Sequence, residues 1–257
     1  MNSSKAECQK NISVSLNELG VKEGAIILVH SSLKSLGYVP GGPETVISGI
    51  LDALGDKGTL LIPALSYKYV NADPDNPVFD VLNTPSNVGA FPEYFRERQG
   101  TIRSIHPTHS VCGTGFCADE ILKDHILDTT PCGPNSPFRK LPEYGGKILF
   151  LGCGLRPNTS MHGVEELAEA PYLFKDTRVY RIIHPDEHVT FMTSKLHYFN
   201  DHKLEQRYDR VESMLDGDEI KSGKILDANA YLIDASALWK KALEIMRKDP
   251  YYFVEEI

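Results

Sequence analysis

The sequence predicts an α/β fold: a mostly parallel core sheet with flanking helices and a partly antiparallel C-terminal appendage. Two short, unbroken apolar runs, AIILVH at 25–30 and TLLIPAL at 59–65, read as strands buried on both faces. A helical stretch lies between them, so strand, crossover helix and strand fit within about 40 residues, the size of a parallel βαβ unit. Further on, TRVYRIIH and EHVTFMTSK alternate as antiparallel strands do on either side of a Pro185-Asp186 turn.

The elements follow in order. Residues 4–19 carry Ile12, Val14, Leu16 and Leu19 in a loose helical pattern that stops at Gly20. After the first strand the loop SSLKSLGYVPGGP leads into a helix over 44–54, with Pro43 in its first turn, where a missing N–H costs nothing. Residues 66–86 are polar and rich in Pro, Asp and Asn, and a connection of that length is usually functional or disordered. A helix is expected over 88–98 with Ser86 or Asn87 as its cap. A strand with a loop at its head is expected within 105–115. KILFLGCG at 147–154 is another buried strand, and NTSMHGVEELAEA at 158–170 gives a helix capped near Asn158 or Thr159. Helices are expected again over 204–215 and 235–247. The chain is read as a single domain over 1–257, with its core at about 10–170 and the appendage at about 171–257.

Composition removes several functions. Lys and Arg number 27 against 35 Asp and Glu, a formal net charge of -8, which repels nucleic acid and anionic membranes and attracts cations. No apolar run approaches the roughly 18 residues of a membrane span, and the opening MNSSKAECQKN lacks the apolar stretch of a secretory signal, so the cytoplasm is expected. The five cysteines form an odd set without a CxxC spacing and are expected to stay reduced.

Four segments hold residues able to do chemistry. The loop His30–Gly42 leaves the carboxyl end of the first strand, where open α/β sheets bind ligands, but matches neither of the glycine-rich nucleotide motifs. Arg103-Ser104-Ile105-His106-Pro107-Thr108-His109-Ser110 gathers a guanidinium, two imidazoles and hydroxyls, suited equally to holding an anion or acyl carbonyl and to capping backbone in a turn. In the third segment, Glu165 and Glu166 lie one helical turn from His162, and a carboxylate beside an imidazole makes the pair a general base needs. Zinc motifs would need a second histidine nearby, as in HExxH, and none follows, so no metal is expected. The fourth, Tyr198-Phe199-Asn200-Asp201-His202, could bind an amine or orient His162 from across a cleft.

Taken together, LVHSSLKSLGYVPGGPETVISGILDALGDKGTLLIPA, TPSNVGAFPEYFR, RSIHPTHSVCGTG, SPFRKL, GGKILFLGCG and NTSMHGVEELAEAPY resemble, in order, the aminoglycoside 3-N-acetyltransferase family of antibiotic N-acetyltransferases. The resemblance covers roughly residues 10–175. It implies an acyltransferase that takes acetyl-CoA as co-substrate and a small amine, a polycationic aminoglycoside among the candidates, as acceptor. It also implies a fold distinct from the other large superfamily of N-acetyltransferases. By the same resemblance Ser31, Ser32, Leu33, Ser35, Leu36, Gly37 and Val39 cradle the pantetheine and pyrophosphate, assisted by Arg103, Ser110 and Ser86. His162 is then the catalytic histidine, supported by Glu165, with Asp201 as a further acidic partner. Two other readings remain at this level: a cysteine acyl carrier at Cys112 or Cys153, and a CoA-binding protein without catalysis.

Overall fold

The computed structural model describes residues 4–199 and 203–257. Ser4 opens the first helix with a capping box: its hydroxyl accepts from the Glu7 N–H while the Glu7 carboxylate accepts from the Ser4 N–H. In chain order the N-terminal half contains α1 (Lys5–Leu19), β1 (Ile26–Ser31), α2 (Pro43–Leu54), β2 (Thr59–Pro63), α3 (Tyr67–Val70), β3 (Val78–Asp80), α4 (Ala90–Glu97), β4 (Ile102–Arg103), β5 (Val111–Gly115) and α5 (Ala118–Leu122). The second half adds α6 (Pro137–Glu143), β6 (Lys147–Leu151), α7 (Met161–Leu167), β7 (Phe174–Ile183), β8 (Val189–His197), β9 (Leu204–Gln206), β10 (Ile220–Ile225), β11 (Ala228–Asp234), α8 (Ala235–Met246) and β12 (Val254–Glu256).

The main sheet runs β10-β11-β6-β1-β2-β5-β4. Its centre, β6-β1-β2, is parallel, and these are the strands marked in the sequence by unbroken apolar runs. All five residues of β2 are buried, as are the first five of β1. Two apolar cores cover the two faces. One packs α1 and α2 on Ile27, Val29, Leu60 and Ile62; the other packs α5, α6, α7 and α8 on Leu28, Leu61, Ile148 and Phe150. Because β1, β2 and β6 run the same way, their carboxyl ends share one edge of the sheet. The loop after β1 and the segment leading to α7 both leave from that edge.

The antiparallel β7–β8 hairpin forms around the expected Pro185-Asp186 turn and pairs with β3 in a separate three-stranded sheet. Residues 66–86 are thereby not an idle loop: they supply α3 and β3, whose Val70 and Phe79 pack with Tyr180, Ile182 and Met192 in a third apolar cluster.

Two expectations are corrected. The helix expected over 204–215 is instead β9 followed by a 3-10 turn at Tyr208–Ser213. Its apolar positions, Leu204, Tyr208, Val211 and Leu215, are buried as a helical pattern demands, but β9 pairs with β12 and Arg207 donates its N–H to Phe253 O. Tertiary pairing overrides local periodicity there. The helix expected from residue 88 starts at Ala90 with Gly89 as its cap; Ser86 instead receives the Val88 N–H and donates its own N–H to Glu93. Within the C-terminal part, β11 pairs antiparallel along β6 in register Leu232↔Leu149 and extends the core sheet.

Helix packing is closest at two glycines. A Cβ on Gly163 would lie 2.3 Å from the Trp239 ring, so the start of α7 rests directly on α8, and the Trp239 indole N–H donates to Ser160 Oγ at 2.7 Å. A Cβ on Gly49 would lie 2.8 Å from Ile12 Cβ and 2.9 Å from Gln9 O, where α1 crosses α2. Gly49→Val should therefore separate these helices and destabilise the protein by about 1–3 kcal/mol, read as a lowered urea midpoint with unchanged slope. An unchanged midpoint would show that the crossing is looser than this geometry.

Candidate active site

The site begins with a carboxylate in an unusual place. Glu165 on α7 is fully buried, and a buried carboxylate is tolerable only where donors surround it. Three do: the Tyr172 hydroxyl donates to Oε1 at 3.0 Å, and the Tyr208 hydroxyl and His162 Nδ1 lie 2.8 Å from Oε2. Tyr208 Oη is also 3.0 Å from His162 Nδ1, closing a small triangle. Burial, then the Glu165 charge, pushes the Tyr208 hydroxyl far above its ordinary pKa, so it stays a donor. With Nδ1–H given to Glu165, the His162 lone pair belongs to Nε2. Of the two carboxylates one turn from His162, Glu165 is the partner. Glu166 accepts instead from the Thr130 hydroxyl at 2.6 Å and the Cys132 N–H at 2.8 Å, and lies 3.3 Å from His197 Nε2.

Two more imidazoles stand beside His162: His109 with ring centroids 5.7 Å away and His197 at 4.6 Å. They come from the loop before β5 and the last residue of β8, so three distant segments converge. Burial holds both imidazoles well below their ordinary pKa, with the neighbouring histidines acting in the same direction. Sequence reasoning passed over His197, Tyr172 and Tyr208. His197 merely ends an alternating strand, and Tyr208 sits in a segment that reads as helix, so neither carries a local signal.

The rest of the Arg103–Ser110 segment takes the capping role. The Arg103 guanidinium has every donor committed: Nε to Ser110 Oγ, one terminal nitrogen to Val81 O and Thr84 O, the other to Ala64 O and Ser66 Oγ. Ser110 is fully buried and donates to Ala64 O at 2.8 Å. His106 receives the N–H groups of Thr108 and His109 on Nδ1 and meets Ser194 Oγ through Nε2. These side chains, of which Arg103 and Ser110 are the ones expected to assist at the cofactor, tie the β2 end, residues 81–84 and β5 together.

The loop after β1 is held close to the sheet edge. Ser32 donates its N–H to Leu151 O, and the Ser35 hydroxyl donates to Ser32 Oγ. Leu33 and Ser35 belong to a short 3-10 turn that ends at Leu36, with Gly37 following at φ 76°. The Leu36 and Val39 side chains are buried in the core between the sheet and α1–α2, so only their backbone can face a ligand. At the end of β1 lies a cavity of about 80 Å³ lined by Val29, His30, Ser31, Pro63, Val88, Pro92, Pro157 and Thr159. On or beside this lining, His30 Nε2, Ser31 Oγ, Asn87 Nδ2 and both polar atoms of the Asn158 side chain are buried without a protein partner. So many unpaired polar atoms in one place mark a site awaiting a polar ligand. Asp201 lies outside the described residues.

A larger, open concavity of about 390 Å³, lined by Arg139, Leu167, Trp239 and Leu243 among others, contains no histidine or cysteine. The cysteines near the site are poor nucleophiles: burial pushes the Cys112 thiol up to about 12 and the Cys153 thiol up to about 11, and lifts Cys132 in the same direction.

A buried carboxylate, an imidazole with Nε2 unbonded and a polar cavity at the carboxyl ends of parallel strands are the features an α/β enzyme uses for acid–base chemistry. The chain belongs to the aminoglycoside 3-N-acetyltransferase family, whose pattern residues 28–247 match. It is 28% identical over 254 residues to aminoglycoside N(3)-acetyltransferase IX of Micromonospora chalcea, covering 89% of each chain. It is 35% identical over 171 residues to aminoglycoside N(3)-acetyltransferase VII of Streptomyces paromomycinus, a match spanning 61% of this chain and 59% of that enzyme. Among solved structures, aminoglycoside acetyltransferase AAC(3)-IVa in complex with a gentamicin superposes with a TM-score of 0.80 at 28% identity, over 98% of this chain and 92% of that one. AAC-IIIb bound to CoASH superposes with the same score at 26% identity, over 96% and 97%. Among the described residues no helix is long and apolar enough to cross a membrane.

The buried histidines set an acid limit on stability. Burial lowers both His30 and His125 to about 3, and lowers His106, His109 and His197 strongly as well. Below pH 6.5 the unfolded chain therefore binds protons that the folded chain refuses, so stability present above pH 6.5 is lost as pH falls toward 3. Each such histidine removes about 1.4 kcal/mol per pH unit in that window. Urea midpoints should fall steeply from pH 6.5 to 4.5, and the slope should flatten by about one proton in His125→Gln; a level wild-type profile would contradict this.

Proposed function

We propose that the protein transfers the acetyl group of acetyl-CoA to an amine of an aminoglycoside, at its 3-N position, or of a related amine acceptor, with His162 as general base. The observation that carries the reading is the 2.8 Å contact between His162 Nδ1 and the fully buried Glu165, which leaves Nε2 basic and aimed away from its anchor. Tyr208 and Tyr172 act as positioning residues by holding that carboxylate. Asp201 is proposed as a further acidic partner of His162.

Acetyl-CoA fits the residues present. Pantetheine carries amides that need partners of both kinds, and the unpaired atoms of His30, Ser31, Asn87 and Asn158 offer donors and acceptors beside the His30 cavity. We assign Ser31, Ser32, Leu33, Ser35, Leu36, Gly37 and Val39 to that arm, the apolar members through their backbone, with Ser86 at the rim. Arg103 and Ser110 serve the cleft indirectly, by bracing its walls.

An amine is an ammonium ion near neutral pH and cannot attack until it loses a proton. One proton leaves the ammonium for solvent, and His162 Nε2 takes a second from the nitrogen as the nitrogen–carbon bond forms, so that the amide ends neutral. Collapse of the tetrahedral carbon breaks the carbon–sulfur bond, and the imidazolium returns the proton to the departing thiolate. Backbone N–H groups at the cleft stabilise the oxyanion, because the Ser110 hydroxyl already donates to Ala64 O. A net charge of -8 draws a polycationic acceptor toward the protein, an attraction that salt screens. Acetyl-CoA as donor implies work in the cytoplasm, and an aminoglycoside as acceptor implies antibiotic resistance.

His162→Ala should lower turnover by about 100- to 10,000-fold in a free-thiol assay with acetyl-CoA and gentamicin or apramycin, while CoA binding by calorimetry stays near wild type. Cys112→Ala and Cys153→Ala should keep turnover and a ternary-complex kinetic pattern. Near-normal turnover in His162→Ala, or ping-pong kinetics lost with a cysteine, would sink this mechanism.

A further inference from the structure

We propose that His109, His162 and His197 form a binding site for a late first-row divalent cation, zinc foremost, and that filling it withdraws His162 from proton transfer. One ligand nitrogen from each ring can be chosen so that all three lie within 4.8 Å of one another. The ring centroids are separated by 5.7, 4.7 and 4.6 Å. Tetrahedral zinc with bonds of about 2.1 Å holds the centroids of its imidazoles about 5 Å apart, so the rings already stand at the spacing of a three-histidine site. Bonded nitrogens in such a site are about 3.4 Å apart, so the rings need to turn and close by at most about 1.4 Å.

The hydrogen bonds argue for the same arrangement independently. Each imidazole has one nitrogen tied to an oxygen: His162 Nδ1 to Glu165 at 2.8 Å, His197 Nε2 to Glu166 at 3.3 Å, and His109 Nδ1 to Thr108 Oγ1 at 2.9 Å. The other nitrogen of each ring has no hydrogen-bond partner among the described residues, and His197 Nδ1 is buried in that state. A carboxylate or hydroxyl behind each histidine, with the opposite nitrogen open, is the outer shell that orients metal-binding imidazoles. Glu165 and Glu166 supply two negative charges behind a dication. Three protein ligands leave a fourth position for water or an acceptor amine. Cation and proton then compete for the same His162 Nε2 lone pair, which makes metal a reversible inhibitor. That last step rests on the base reading given above; the metal site itself does not.

The test is a titration of the full-length, chelator-stripped protein with Co2+. The expected result is one Co2+ per chain with the intense visible absorption of four- or five-coordinate cobalt, displaced by Zn2+. Glu166→Gln should weaken binding about 10- to 100-fold through His197. His197→Gln and His109→Gln, each checked by circular dichroism and thermal melting, should each abolish the spectrum; if one fails to fold, the other decides. His188→Gln, which breaks the stacked and partly exposed His184–His188 pair, should leave it unchanged. Only the pale absorption of six-coordinate cobalt, persistence of the strong spectrum in a folded His197→Gln or His109→Gln variant, or its loss in His188→Gln would overturn the proposal. Site-bound Zn2+ with undiminished acetyl transfer would overturn the base reading and the inhibition, and leave the metal site standing.

Discussion

The site depends on the burial of one carboxylate. Removing Glu165 from water costs several kcal/mol unless its oxygens find donors, and the fold answers with Tyr172, Tyr208 and His162. Each donor comes with a structural consequence. Tyr172 holds the chain just after α7. Tyr208 opens the 3-10 turn that follows β9. His162 has its tautomer selected, which leaves the remaining lone pair on Nε2. The same constraint thus bears on the local backbone, the packing of the C-terminal part and the tautomer of the imidazole.

Around that centre the protein separates bracing from chemistry. Arg103 lies over the Phe79 ring at 4.7 Å and spends all its donors on backbone and hydroxyl oxygens, linking the end of β2 to the residues around 81–84. Burial lowers its pKa to about 10, which still leaves it charged at neutral pH. His106 and His125 stack with centroids 4.8 Å apart and likewise serve the turn that carries His109. Polar residues that look reactive on paper are consumed by the need to satisfy buried backbone. Several of the unsatisfied atoms, those of His30, Ser31, Asn87 and Asn158, belong to the His30 cavity or to residues next to its lining, on the edge where parallel strands end.

The sequence by itself determined the parallel centre of the sheet, the crossover helix α2, the β7–β8 hairpin, and the pairing of His162 with a carboxylate one turn along. Each follows from short-range physics: unbroken apolar runs bury both faces of a strand, and residues three apart on a helix touch. Only the tertiary structure decided that Glu165 and not Glu166 would meet His162, because the choice depends on which carboxylate Tyr172 and Tyr208 can reach from 7 and 43 residues away. It likewise decided that Arg103 and Ser110 brace the cleft, that β11 joins the core sheet, and that His109 and His197 stand beside His162. Those facts reside in contacts between segments far apart in the chain, and a hydrogen bond closed across such a distance leaves no periodicity for a sequence to display.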